Sequence, residues 1–188
     1  MQKFLIILLL VFLQSCAKEA ISNFALDELG AVTLDGQPIQ LSSIDADRIA
    51  LNIYSPTCVP CVKEIPALNL LYDEFKQGRS VALYMAVDPY SIVEEAGDFP
   101  EQEMIQKAIA IMIKEKTSRN IQLPVLVMKK PFSINPEGLV SGTPETLLLQ
   151  TRPIVLYYNF IGAISEQTDP QKIKSDYKIA FFKKMLGY

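Results

Sequence analysis

Two cysteines stand three residues apart in "SPTCVPCVKEIP", Ser55 to Pro66, with prolines on every side of them. Cys58 and Cys61 are two of the three cysteines in a chain of 188 residues. A pair at this spacing can hold a metal, staple a fold, or cycle between dithiol and disulfide. A structural zinc site takes four ligands, and without histidine or a second cysteine pair the chain cannot supply them alone. A purely structural disulfide would close a very short loop, where the entropic stabilisation is smallest. Two unoxidised core thiols are a third reading, which the flanking prolines do not favour. Thiol–disulfide exchange is the chemistry these residues fit best.

The absence of histidine also removes the usual general base and any Ser-His or Cys-His catalytic pair. Lys plus Arg is 18 and Asp plus Glu is 21, for a net charge of −3. No basic stripe interrupts the chain, so nucleic acid is not an expected partner. Apolar residues at 49% and charged residues at 21% are ordinary for a globular protein. The length suits one domain with a proper core, and neither repeats nor low-complexity runs divide it.

The N-terminus reads as a targeting segment. "FLIILLLVFL", Phe4 to Leu13, is an unbroken apolar run of ten behind a single lysine. A membrane-spanning helix needs roughly 20 such residues, whereas this length suits the apolar core of a signal peptide. "LQSC", Leu13 to Cys16, resembles the lipobox of bacterial lipoproteins. That resemblance implies a signal peptide at 1–15, a lipidated tether at 16–23 beginning with Cys16, and a domain from 24 to 188. An uncleaved anchor with an incidental cysteine is the alternative. Export would carry Cys58 and Cys61 into a space where disulfides persist.

The elements that must position the cysteines follow from the hydrophobic pattern. "FALDELGAVTLDGQPIQLSSI" has turn signals at Gly30 and "DGQP" and predicts an opening hairpin. "IALNIYS" (Ile49 to Ser55), "SVALYMAV" (Ser80 to Val87) and "LPVLVM" (Leu123 to Met128) predict buried strands. "PALNLLYDEFKQG" places Leu68, Leu71 and Phe75 on one helical face and stops at Gly78. "EQEMIQKAIAIMIKEKT" predicts a second helix, with Met104, Ile105, Ala108, Ile109, Met112 and Ile113 facing the core. "ETLLLQ" and "IVLYYNF" read as a hairpin around "TRP", and "DPQKIKSDYKIAFFKKML" as one closing helix capped by Asp169. Strands alternating with helices, then a terminal hairpin and helix, give an α/β fold around one mixed sheet.

On this map the cysteines sit where a buried strand turns into a helix, with Cys58 at or just before its first turn. Unpaired N–H groups and the positive dipole end favour a thiolate there. A cysteine pKa of ~8.5 falls to about 3.5–7.5 at such a position within a C-x-x-C. Pro60 suits an early helical position, whereas Pro66, well inside, is expected to bend the helix.

From about Phe24 onward the chain resembles the extracytoplasmic thiol-disulfide oxidoreductases of thioredoxin fold, the TlpA, ResA and CcmG (DsbE)-like family. "LNIYSPTCVPCVKEIPALNLLY", "VALYMAVD", "GTPETLLL" and "YYNFIGAI" carry the likeness. It implies a thioredoxin-like fold with an N-terminal hairpin and a central insertion at about 88–136. It implies Cys58 as attacking nucleophile, Cys61 as resolving thiol, and Pro144 as the cis-proline of the loop against them. Thr143 would offer backbone hydrogen bonds to an extended substrate, beside Pro60 and Thr57. In ResA-like relatives a glutamate at the place of Glu64 tunes cysteine acidity from a cavity. Read from the sequence alone, a solvated Glu beside Lys63 serves equally well. Thioredoxins keep a buried Asp six residues before the first cysteine, where this chain has Asn52.

Most relatives have a tryptophan where Thr57 stands, and this chain contains none, which bears on docking rather than on thiol chemistry. No cofactor and no metal are expected. The implied partners are exported proteins with disulfides, such as apocytochrome c, a membrane thiol-electron donor, and the membrane through lipid on Cys16. The implied place is outside the cytoplasm, anchored in the cell membrane or outer membrane and facing the periplasm. Strong oxidants of this fold stabilise the reduced thiolate. The histidine that does so inside the C-x-x-C of DsbA-like proteins is replaced here by Val59-Pro60, which favours a reductant. An oxidase or isomerase, and a non-catalytic lipoprotein that only binds a partner, are the alternatives.

Overall fold

The computed structural model describes residues 26–94 and 99–188; the expected signal peptide, Cys16 and the tether lie outside the described residues. Seven strands form one mixed sheet in the order β2-β1-β5-β4-β3-β6-β7. The opening hairpin pairs β1 (Gly30–Thr33) antiparallel with β2 (Pro38–Gln40). Gly30 begins the strand instead of turning the chain; the turn falls at Gly36, whose φ of +83° a side-chain-bearing residue rarely adopts. The centre is three parallel strands, β3 (Arg48–Ile53), β4 (Val81–Val87) and β5 (Val125–Met128). The closing hairpin, β6 (Glu145–Thr151) and β7 (Ile154–Ile161), adds to the other side of β3. β5 lies within the expected insertion of 88–136 and joins the sheet between β1 and β4.

β3 has neighbours on both sides and cover on both faces, which is why its apolar run is nearly continuous. Alternation along the strand sends Ile49, Leu51 and Ile53 into one core cluster and Ala50 and Tyr54 into the other. The connections β3–β4 and β4–β5 step in the same direction across the sheet. Right-handed crossovers therefore put both of their helices on one face. α1 (Val59–Phe75), the short α2 (Pro89–Ile92) and α3 (Glu101–Ser118) accordingly share a single cluster. Among the described residues the opposite face is covered without α-helices, by Leu29, Leu41 and Ile44 before β3 and by Phe132 and Val140 in the loop between β5 and β6.

Two helical expectations need correction. Ile113 is 49% exposed, because α3 buries only the stripe from Met104 to Met112 and its last turn leaves the core. The closing segment is two helices, α4 (Pro170–Ser175) and α5 (Tyr177–Met185), not one. Asp169 caps α4 as its position suggests, accepting from the N–H groups of Gln171 and Lys172. Asp176 breaks the run because its extended backbone (φ −70°, ψ 124°) ends α4 and its carboxylate restarts the chain as the N-cap of α5. The other oxygen of the same carboxylate accepts from the hydroxyl of buried Ser165 at 2.6 Å. α1 continues through Pro66.

Asp176→Ala removes the cap of α5 and leaves the Ser165 hydroxyl without its partner. The denaturation midpoint should fall by an amount equivalent to about 1–2 kcal/mol, and Asp176→Asn should recover most of it. An unchanged midpoint for the alanine variant would show that the cap carries none of the stability assigned to it.

Candidate active site

β3 delivers the chain to the reactive cysteines in five residues. Tyr54 N–H continues the sheet by donating to Ala86 at 2.9 Å, and Cys58 N–H closes a turn onto the Ser55 carbonyl at 3.1 Å. Cys58 is the N-cap of α1, with φ −84° and ψ 102°, and Pro60 lies in the first turn. Cys58 and Cys61 are joined as a disulfide, their Cα atoms 5.3 Å apart. The Cys58 sulfur accepts from the Cys61 N–H at 3.2 Å. It therefore fills the place that a Ser, Thr or Asp side chain takes at other helix starts. In the reduced protein the same N–H and the helix dipole stabilise a negative sulfur at Cys58.

The two sulfurs differ in access. Cys58 is partly exposed, whereas Cys61 is 1% exposed and packs within the cluster under α1. Val59, between them, is 65% exposed. Thr57, also exposed, lies with its hydroxyl 3.1 Å from that of Ser55. A groove of about 610 Å³ opens beside this loop, between Pro56 and Thr57, Ile92 and Val93, and the Ala110–Ile111 edge of α3.

Glu64 is wholly buried, which decides between the two sequence readings against a solvated surface residue. It sits three residues after Cys61, so both point from the same side of α1 into the protein. One carboxylate oxygen accepts from the Ile164 N–H at 2.7 Å. The other lies 3.4 Å from the Asn52 amide nitrogen, which also donates to the Thr146 hydroxyl at 3.0 Å. Desolvation outweighs these donors and raises the Glu64 pKa from 4.5 to about 7. Asn52, 1% exposed, points to the α1 side of the sheet because it alternates with Leu51 and Ile53 along β3. Its amide oxygen is buried without a hydrogen-bond partner.

Pro144 is buried and its bond from Thr143 is cis. It immediately precedes β6, and the pairing of Glu145 with Ile53 puts it at the end of β3 from which the cysteine loop departs. The Gly162 N–H donates to the Pro144 carbonyl at 2.9 Å. The segment Gly162–Ile164 thus links the proline on one side to Glu64 on the other. The structure brings Cys58, Cys61, Glu64, Thr143 and Pro144 to one end of the sheet, with Pro60 and Thr57 on the approach to the helix.

Sequence reasoning did not single out Glu145, which is 1% exposed. Its carboxylate accepts from the Ser141 N–H at 3.0 Å, from the Ser141 hydroxyl, and from the Asn159 amide at 2.9 Å. These bonds fix the start of the loop that ends in Pro144. The signal was available: a charged residue opening an otherwise apolar strand, "ETLLL", has to find partners. Among the described residues no group of three or more His, Cys, Asp or Glu side chains comes together to hold a metal.

No protein-family profile matches the chain. It is 31% identical over 83 residues to the thiol-disulfide oxidoreductase ResA of Halalkalibacterium halodurans, and this stretch is 44% of each chain. The match thus spans less than half the length of that relative. The thioredoxin-like protein YneN of Bacillus subtilis is 24% identical over 144 residues, covering 77% of this chain and 74% of that one. Among solved structures, StoA from Bacillus subtilis superposes with a TM-score of 0.54 at 18% identity, over 80% of this chain and 98% of its own. The chain is a thioredoxin-fold protein, similar in part of its sequence to ResA and YneN.

Proposed function

We propose that this protein is a thiol-disulfide oxidoreductase, tethered outside the cytoplasm by lipid on Cys16, that reduces disulfides in exported proteins. One observation carries the reading. A redox pair lies at the N-cap of a helix with one sulfur accessible, the other buried, and a carboxyl group of raised pKa beneath them.

The exchange runs as two displacements. The Cys58 thiolate attacks one sulfur of a substrate disulfide; the second substrate sulfur leaves and takes a proton from water. Cys61 then loses its proton and attacks the Cys58 sulfur. The bond from Cys58 to the substrate breaks, the first substrate sulfur leaves as a thiol, and Cys58–Cys61 closes as the disulfide. Two electrons have passed to the substrate. Glu64 is the acceptor suited to the Cys61 proton, since it lies on the same face of α1 and its pKa of about 7 leaves it partly ionised at neutral pH. Thr143 and Pro144 hold the substrate segment alongside, with Thr57 and Pro60 at its margin. The reducing direction is supported by Val59-Pro60 between the cysteines. Exported proteins with accessible disulfides, apocytochrome c among them, are the substrate class, and a membrane thiol donor restores the dithiol. The "LQSC" at Cys16 supports anchoring and a periplasm-facing site.

Trapping tests the order of events. Cys61→Ser should accumulate a covalent complex with a disulfide-bearing peptide, read by non-reducing electrophoresis and mass, whereas Cys58→Ser should accumulate none. Trapping through Cys61 would reverse the roles, and no trapping by either variant would favour a partner-binding protein without activity.

Glu64→Gln separates proton transfer from packing. Burial makes the folded protein prefer the protonated acid, so the contribution of Glu64 to stability is fully present below pH 4.5 and is lost as pH rises through about 7. The loss amounts to roughly 3 kcal/mol, and the glutamine variant should show none of it in denaturation at several pH values. The variant should also resolve a mixed disulfide at least about tenfold more slowly at pH 8. A normal resolving rate would remove Glu64 from the mechanism even if the stability profile behaved as expected.

Cys16→Ala tests the anchor: the exported protein should lack acyl chains and leave the membrane fraction. A normally acylated, membrane-bound product from this variant would end the lipoprotein reading.

A further inference from the structure

The last two helices carry a face that the thiol chemistry does not use. From Pro170 to Tyr188 there are five lysines against one aspartate, in a chain whose overall balance is −3; Lys183 is paired with Glu74 of α1, and Lys172, Lys174, Lys178 and Lys184 are exposed. That aspartate, Asp176, is occupied as a cap and on the Ser165 hydroxyl. α5 buries Ile179, Phe182 and Leu186 just beyond its end. On the opposite side, Tyr177, Phe181 and Lys184 fall at helical spacing with Ala180 beside them. Tyr177 is 77% and Phe181 41% exposed. Phe181 rests its ring against Tyr158 and Phe160 of β7, which leaves its outer edge on the surface. Lys174 and Lys184 are both exposed, Lys174 on α4 and Lys184 one turn after Phe181 on α5. Aromatic rings with an apolar body, flanked by long cationic side chains, suit the boundary between lipid headgroups and acyl chains.

The path of the chain points to the same side of the molecule. The first described residues, Leu26–Glu28, pack against β7, the edge strand on whose other face α5 sits. Ten residue steps separate Cys16 from Leu26, which reach about 35 Å at most when fully extended. A lipid on Cys16 therefore keeps the bilayer within that distance of the β7 edge. Of the sheet's two edges, this is the one next to the cationic face.

We propose that the outward face of α5, with Tyr177, Phe181, Lys174 and Lys184, lies on an anionic lipid surface and sets the orientation of the domain on the membrane. The placement of the tether rests on the anchoring reading above; the character of the face does not. Positive charge draws the face to anionic headgroups, and the two rings insert among them. The β2 edge, across the sheet, then faces away from the bilayer.

Fluorescence quenching by lipids with brominated acyl chains tests this. The acylated full chain, with Cys58–Cys61 kept oxidised, is labelled through Ala180→Cys on the proposed face or through Gln37→Cys at the β1–β2 turn. In phosphatidylglycerol-containing vesicles the label at 180 should be quenched several-fold more than the label at 37. Lys174→Glu with Lys184→Glu should bring quenching at 180 down to the level at 37, as should vesicles of phosphatidylcholine alone. Equal quenching at both positions, or quenching at 180 that ignores lipid charge and charge reversal, overturns the proposal. So does the absence of quenching at 180. Mass analysis of the N-terminal peptide reads acylation separately. If the chain is not acylated, the unmodified full chain added to the same vesicles must still show the contrast between 180 and 37.

Discussion

The Glu64 carboxyl group, buried under the helix that bears the cysteines, ties together three segments far apart in the chain. It accepts from Ile164 after β7, meets Asn52 on β3, and through its backbone belongs to α1. Each contact restricts where the N-terminus of α1 can sit over the sheet, and so where Cys58 is presented. Ile164 is two residues past Gly162, whose N–H holds the carbonyl of Pro144. One buried acid thus sets the spacing between the sulfurs and the proline loop. An apolar residue of the same size would leave the Ile164 N–H without a partner in a place water does not reach.

The topology assigns the two faces of the sheet different tasks. The helices stack on the face toward which Asn52 and Thr146 point, and Cys58, Cys61 and Glu64 belong to that side. The other face is closed by loops whose apolar residues are themselves core. Phe132 and Val140, in the segment that leads to Pro144, are buried against Ile49, Leu51 and Ile53. Glu145 completes the arrangement by gripping Ser141 from within the same layer. A loop built this way has little freedom to drift, because moving it would open the core.

Much of this was legible in the sequence where the physics is local. Strand runs, the stripe from Met104 to Met112, the N-cap position of Cys58 and the Asp169 cap all follow from patterns within a few residues. Pro144 could be placed against the cysteines only through the family resemblance, since the pairing of Ile53 with Glu145 joins positions some ninety residues apart. Glu64 could not be settled for the same reason. Its helical position beside Lys63 suits water as well as burial, and the decision belongs to Ile164, a hundred residues away. The division of the last helix was readable in "SDYK", where an Asp one residue after Ser175 can cap a new helix. The continuous amphipathic pattern on either side of it concealed the break.

The unpartnered oxygen of Asn52 has a consequence for how the site tolerates a change of charge. An amide carries a donor on one side and an acceptor on the other. In the orientation seen, its nitrogen faces Glu64 and suits an ionised carboxylate. Rotated end for end, the same side chain would offer its oxygen both to a protonated Glu64 and to the Thr146 hydroxyl, which can donate as readily as accept. An aspartate at position 52 would set a second negative charge against the first, and a leucine would answer neither state. By turning its amide, asparagine can answer either protonation state of Glu64 without the sheet beneath it having to move.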